Sequence, residues 1–149
     1  MKRVAMVIVA AWLSAFPGPV ASQARETVVT RDASGRTTGS KATDASGRSV
    51  FRDASGRTTG SSVSDDRGRI TFRDASGRTT GSSQTSGDRT TYRDNSGRTT
   101  GSSTTDAYGR TTYRDASGRT TGTSQSNGDR TTFRDASGRT TGTATTRRP

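Results

Sequence analysis

The nine residues Arg31–Gly39 read RDASGRTTG, and near-copies begin at Arg52, Arg73, Arg93, Arg114 and Arg134. Each copy opens with turn chemistry. In Asp32-Ala33-Ser34-Gly35 the aspartate stands at the first position of a type I turn and the glycine at the fourth. The carboxylate caps the turn, and glycine accepts the positive φ of the bulge that follows. The flanks suit extended chain. Thr-Thr follows the turn, and an aromatic precedes it at Phe51, Phe72, Tyr92, Tyr113 and Phe133. The stretch predicts a hairpin, and the chain says it again and again.

The copies start 21, 21, 20, 21 and 20 residues apart, a spacing that marks a tandem array. Between them lies a looser copy. It reads TDASGRSVFRD from Thr43, SDDRGRITFRD from Ser64, TSGDRTTYRD from Thr85, TDAYGRTTYRD from Thr105 and SNGDRTTFRD from Ser126. The elementary unit is thus half a period: a polar turn, Gly and Arg, then a strand. Alternation sorts the strand residues by face. In RITFRD, Ile70 and Phe72 share one face, and Arg69, Thr71 and Arg73 the other. In DRTTYRD, Thr90 and Tyr92 oppose Arg89, Thr91 and Arg93. A meander would stack the aromatics in one row, ~9–10 Å apart, and leave an Arg/Thr surface behind them. The expected fold class is an all-β repeat, a β-hairpin meander or small β-solenoid of 20–21-residue units. The alternative is a largely disordered low-complexity chain, which the polarity favours.

Composition sets further bounds. Lys2-Arg3, the apolar run Val4–Phe16, the break at Pro17-Gly18-Pro19 and the small Ser22 and Ala24 match a secretory signal peptide over residues 1–24. The run is too short to span a bilayer comfortably, so no transmembrane span is expected after cleavage. Residues 25–30 read as a linker, 31–142 as the repeat array and 143–149 as a flexible basic tail. Removing the signal leaves 22 Lys and Arg against 13 Asp and Glu, a net charge of +9. Only Val28, Val29, Val50, Val63, Ile70, three Phe and three Tyr remain as large apolar residues. That is too few for a conventional core and predicts a thin, one-layered array. There is no Cys, so no disulfide replaces the core and no lipoprotein anchor is expected. The expected setting is the periplasm or exterior of a bacterial cell.

The pattern [FY]-R-D-x-S-G-R-T-T resembles the tyrosine–aspartate (YD, or RHS-type) repeats, which read as an aromatic, Asp, two residues, Gly and Arg. The likeness covers Arg31 to about Gly142 and departs from the family where Arg52, Arg73, Arg93, Arg114 and Arg134 stand between aromatic and Asp. MORN-type hairpin repeats are a second likeness. The resemblance implies a hairpin architecture and an envelope setting.

The residues exclude much chemistry. With no His and no Cys, the common general bases, thiol nucleophiles and transition-metal ligands are missing. A catalytic site needs one shaped pocket, whereas Asp32 and Ser34 recur in every copy, so no enzyme activity and no cofactor are expected. SDDRG at Ser64–Gly68 lacks the spacing of calcium loops. The adjacent threonines alternate faces and form no Thr-x-Thr rank of the kind that suits ice binding. What remains is charge. Arginine on an extended scaffold attracts phosphates and carboxylates. The candidate contacts are Arg52, Arg73, Arg93, Arg114 and Arg134 before the turns, and Arg57, Arg78, Arg98, Arg119 and Arg139 after them. The expected partners are anionic envelope polymers, lipopolysaccharide or extracellular DNA, with Tyr and Phe free to stack on bases or sugars. The charge reads as evenly spread along the chain.

Overall fold

The computed structural model describes residues 26–148. They form twelve strands: β1 (Glu26–Asp32), β2 (Thr37–Thr43), β3 (Arg48–Asp53), β4 (Thr58–Ser64), β5 (Arg69–Asp74), β6 (Thr79–Ser86), β7 (Arg89–Asp94), β8 (Thr99–Thr105), β9 (Arg110–Asp115), β10 (Thr120–Asn127), β11 (Arg130–Asp135) and β12 (Thr140–Arg147). Every strand pairs antiparallel with its neighbours in sequence, and β12 returns to pair with β1, which closes the sheet into a barrel. The described residues are an ordered meander; the disordered alternative and the solenoid do not describe them. The expected signal peptide lies outside the described residues. Residues 26–30, expected as a linker, form most of β1, and residues 143–147 of the expected tail complete β12. Thr27–Thr30 and Thr143–Thr146 alternate in burial as strands do, but no turn signal flanks them on the outer side to mark this in the sequence.

The turns follow the reading of Asp-x-Ser-Gly. Asp53 Oδ1 accepts the N–H of Ser55 at 2.9 Å, the Ser55 hydroxyl at 2.6 Å and the N–H of Arg57 at 3.0 Å. The N–H of Gly56 donates to the Asp53 carbonyl at 3.0 Å, and Gly56 takes φ 83°. One carboxylate oxygen thus organises the whole bend. The alternation between 21 and 20 residues also has a local cause. Asp65–Gly68 makes a longer link in which Asp65 N–H bonds the Arg69 carbonyl, whereas Ser86 pairs directly with Arg89 and leaves only Gly87-Asp88 as the loop. The 20-residue periods carry the shorter loop.

Closure follows from a sideways step. Phe51 faces Gly60, which faces Asp74, two residues beyond Phe72, the equivalent of Phe51 in the next copy. The same step takes Phe72 through Gly81 to Asp94, Tyr92 through Gly101 to Asp115, and, across the seam, Phe133 through Gly142 to Asp32. A step of two residues per two strands makes the shear equal the strand number. Standard strand geometry then gives a tilt of about 37° and a backbone radius of roughly 10 Å. Closed in this way, no strand is left with an open edge. The ladder satisfies backbone groups on both sides of every strand, which partly offsets the scarcity of apolar residues.

The expectation of a thin, one-layered array is corrected by this closure, because one face of the sheet becomes an interior. It is lined mainly by hydroxyls. Thr30, Ser49, Ser62, Ser83, Thr90, Ser103, Thr111, Ser124, Thr131 and Thr146 are buried beside Val28, Tyr92, Tyr113 and Ala144. They pair across strands, as Thr85 with Thr90 and Thr105 with Thr111, both at 2.9 Å. The aromatic of each hairpin shares this face with a glycine directly opposite and a small residue two positions further on. The pairs are Phe51 with Ser62, Phe72 with Ser83, Tyr92 with Ser103, Tyr113 with Ser124 and Phe133 with Ala144. The tyrosine hydroxyls meet their serines at 3.0 Å. Phe133, with no hydroxyl, is matched by Ala144. Phe72 is not matched in this way, and the buried Ser83 Oγ has no hydrogen-bond partner. The first hairpin departs from the rest, with Thr30 in the aromatic position and Lys41 in the serine position. A long side chain replaces a short one where the ring is missing.

Candidate anion-binding surface

Alternation puts the other half of each strand outside. The odd strands β3, β5, β7, β9 and β11 each carry an Arg at both ends of the outer face, as in Arg69-Thr71-Arg73 and Arg89-Thr91-Arg93. The even strands between them show small hydroxyls outward, such as Ser61, Ser82, Ser102, Thr123 and Thr143. Each of these lies directly across from an arginine of the following odd strand, Ser82 from Arg93 and Ser102 from Arg114. The exterior is therefore ribbed. Ridges of arginine stand two strand spacings apart, ~9–10 Å, with furrows floored by Ser and Thr between them. Outward positions are Arg, Ser, Thr and Gln with few exceptions, so the exterior does not carry the apolar band that faces lipid in membrane barrels. Among the described residues no helix is long and apolar enough to cross a membrane.

The ends of the barrel differ in charge. Successive turns of a meander alternate between ends, so all six RDxSGR turns gather at one rim. That rim carries Arg31, Arg52, Arg73, Arg93, Arg114 and Arg134, then Arg36, Arg57, Arg78, Arg98, Arg119 and Arg139, twelve arginines against six aspartates. At the other end the described residues hold eight arginines against seven acidic side chains. The evenly spread charge read from the sequence is corrected here: evenness along the chain becomes a rim and ridges once the chain winds into a barrel.

The ten arginines expected as contacts are all exposed and all at this rim. Those before the turns also have an intramolecular task. Arg52 donates to the Gly56 carbonyl at 3.0 Å, and Arg31, Arg73, Arg93, Arg114 and Arg134 repeat the bond in their own turns. This holds each guanidinium beside its bend with further N–H donors left over. Five of the aspartates between them are held toward the ionised form. The pKa of Asp32, Asp53, Asp94, Asp115 and Asp135 is lowered, chiefly by the serine hydroxyl two residues on, with backbone N–H groups and the following arginine adding to it. Sequence reasoning left Arg48, Arg69, Arg89, Arg110 and Arg130 out of the candidate set. They lie four residues before the named arginines on the same strand face, so the period of two would have found them. The reverse holds for the aromatics. Phe51, Phe72, Tyr92, Tyr113 and Phe133 turn to the interior and are not presented to a ligand outside; Tyr108, in a turn at the other end, is exposed.

Between the β5 and β7 ridges the furrow deepens into an open recess of about 150 Å³, lined by Arg69, Thr71, Thr79, Gly81, Ser82, Arg93, Asp94, Asn95 and Gly97. Asn95 occupies a position that is Ala in the other five rim turns. Among the described residues one basic side chain also faces the interior. Lys41 lies on the inner face opposite Val28, where burial lowers its pKa from 10.5 and Glu26 acts in the opposite direction.

No protein-family model matches the chain, and no curated protein matches it. Among solved structures it is similar to one described as the crystal structure of BamB from Moraxella catarrhalis, with a TM-score of 0.30, 12% identity, and coverage of 72% of this chain and 56% of that one.

Proposed function

We propose that this chain is an exported, non-enzymatic repeat protein of a bacterial envelope, structural or adhesive in role, whose arginine-bearing exterior binds anionic polymers. The observation that carries this reading is the gathering of twelve arginines against six aspartates at one rim, continued down the outer face as parallel ridges. A single exposed Arg–anion contact is worth about 1 kcal/mol or less. Many such contacts on one rigid body add without a new ordering cost for each, so a polymer gains where a monomeric anion does not. The hydrogen bonds to each turn carboxylate brace the bends, and the arginine–glycine bonds hold half of the rim guanidinia in place. The expected partners are acidic envelope polymers or the phosphates of lipopolysaccharide.

Retention of the chain from residue 25 onward on immobilised heparin and on lipopolysaccharide, eluted with a salt gradient, tests the reading. Binding should fall steeply with salt, because counterion release dominates such contacts. Absence of retention at low salt would leave only a structural role.

A further inference from the structure

We infer that the furrow between the β5 and β7 ridges is a subsite for one extended strand of an anionic glycan, with an acidic group of the sugar held between Arg69 and Arg93. The inference rests on the polyanion reading above and specifies its ligand.

Three observations point to this chemistry. The first is placement. Thr71, Ser82 and Arg93 stand in one row across β5, β6 and β7, and Arg69 lies two residues back from Thr71 on the same outer face. Two long guanidinium side chains thus flank a lining of three hydroxyls, Thr71, Thr79 and Ser82, with Gly81, Asn95 and the Asp94 carboxylate, whose Oδ1 is taken up by its own turn through the N–H groups of Ser96 and Arg98. A sulfate, phosphate ester or carboxylate on the floor is within reach of both forks, and the hydroxyls and amide are left to pair with sugar hydroxyls. The second is width. Ridges ~9–10 Å apart admit a single extended chain, while a nucleic-acid duplex, whose major groove alone is ~12 Å wide, cannot enter. The third concerns stacking. Single-stranded nucleic acid draws much of its affinity from aromatic platforms, and the five repeat aromatics face inward. Charge and hydroxyls without rings favour a glycan over a base-bearing strand.

The furrow recurs with Ser61, Ser102, Thr123 and Thr143 as floors. The recess at β6 is the one in which Asn95 adds a second hydrogen-bonding group.

The test compares three probes of matched charge by fluorescence anisotropy at low salt: a short heparin oligosaccharide, single-stranded oligodeoxythymidine and inorganic polyphosphate. Three variants are compared with the parent chain. Arg69→Gln/Arg93→Gln removes both forks. Ser82→Phe fills the furrow without changing charge. Arg147→Gln/Arg148→Gln removes the same charge from the far end of the chain, across the barrel from β6. The parent should bind the oligosaccharide tightest. Both furrow variants should weaken oligosaccharide binding about tenfold, and the far-end variant less than twofold. The circular dichroism of all three should remain that of the parent; Ser82→Phe keeps the test open if loss of the Arg93–Gly97 bond disturbs the turn. Equal losses for furrow and far-end variants, an unaffected Ser82→Phe, or tighter binding of DNA or polyphosphate would overturn the subsite while leaving polyanion binding intact. Failure of the parent to bind any probe would instead remove the polyanion reading itself.

Discussion

Substituting Phe72→Tyr should stabilise the protein. Two hairpins place a tyrosine hydroxyl 3.0 Å from the serine two positions beyond the facing glycine, Tyr92 on Ser103 and Tyr113 on Ser124. At the equivalent place Phe72 has no hydroxyl, and Ser83, 1% exposed, has no partner for its Oγ. An unsatisfied buried hydroxyl costs about 1–3 kcal/mol, and a satisfied one returns most of that. The new phenol must itself be desolvated, which leaves a net gain of about 0.5–1.5 kcal/mol. For a chain of this size that raises Tm by roughly 2–6 °C. Urea and thermal unfolding followed by circular dichroism read the change. Ser83→Ala should also stabilise, since it removes the orphan. The double variant Phe72→Tyr/Ser83→Ala should lose the gain, because the new phenol is then the orphan. Tyr92→Phe should cost about 1–3 kcal/mol by stranding Ser103. The reasoning fails if Phe72→Tyr destabilises, or if Ser83→Ala costs as much as a serine-to-alanine change at a satisfied site.

Three other outcomes are expected. A Cβ on Gly81 would meet the backbone carbonyl of Arg93 on β7, so Gly81→Ala should cost about 1–3 kcal/mol in urea unfolding although the position is in a regular strand. In the first hairpin, Thr30→Phe alone overpacks and Lys41→Ser alone leaves a gap, whereas together they restore the pairing of the other repeats. A double-mutant cycle should therefore show favourable coupling of about 1 kcal/mol or more. Six capping aspartates, Asp32, Asp44, Asp53, Asp94, Asp115 and Asp135, have pKa values lowered from 3.8 by a serine hydroxyl first of all. Their stabilisation is complete above the unfolded pKa and is lost as pH falls through the lowered folded values. An acid titration should find the fold holding to below about pH 4, and Ser→Ala at the capping serines should move the unfolding midpoint to higher pH.

The local structure was legible because it is decided by short-range chemistry. Asp53, Ser55 and Gly56 specify their bend whatever surrounds them. Alternation in Arg69–Asp74 assigns Phe72 inward and Arg73 outward with no knowledge of the fold. Closure was not legible, because it depends on quantities that belong to no single repeat. The step of two residues from Phe51 through Gly60 to Asp74 arises from a bulge at Thr59, where Arg52 pairs with Thr58, and from the offset of the following pair. Only when six such steps accumulate does β12 meet β1. The ridges and the charged rim were hidden for the same reason. Arg73 and Arg93 are 20 residues apart in sequence and become neighbours on one surface only through the pairing of β5, β6 and β7. Composition does not reveal the interior, because counts of Val, Phe and Tyr do not register what Ser and Thr contribute once their hydroxyls pair across a closed sheet, as Thr105 does with Thr111.

Everything assigned to an outside and an inside requires that β1 and β12 meet. The chain has no cysteine, so a pair introduced at the seam reports on it without interference. Val29 and Thr145 are register partners on the outer face of β1 and β12. Facing residues of antiparallel strands have Cα atoms ~4.5–5.5 Å apart, which a disulfide spans without strain. Under mild oxidation Val29→Cys/Thr145→Cys should form an intramolecular disulfide in near-full yield while the chain stays monomeric and keeps its β spectrum. Free thiols, or disulfides found only between chains, would contradict the closed barrel and with it the arrangement of the arginine ridges.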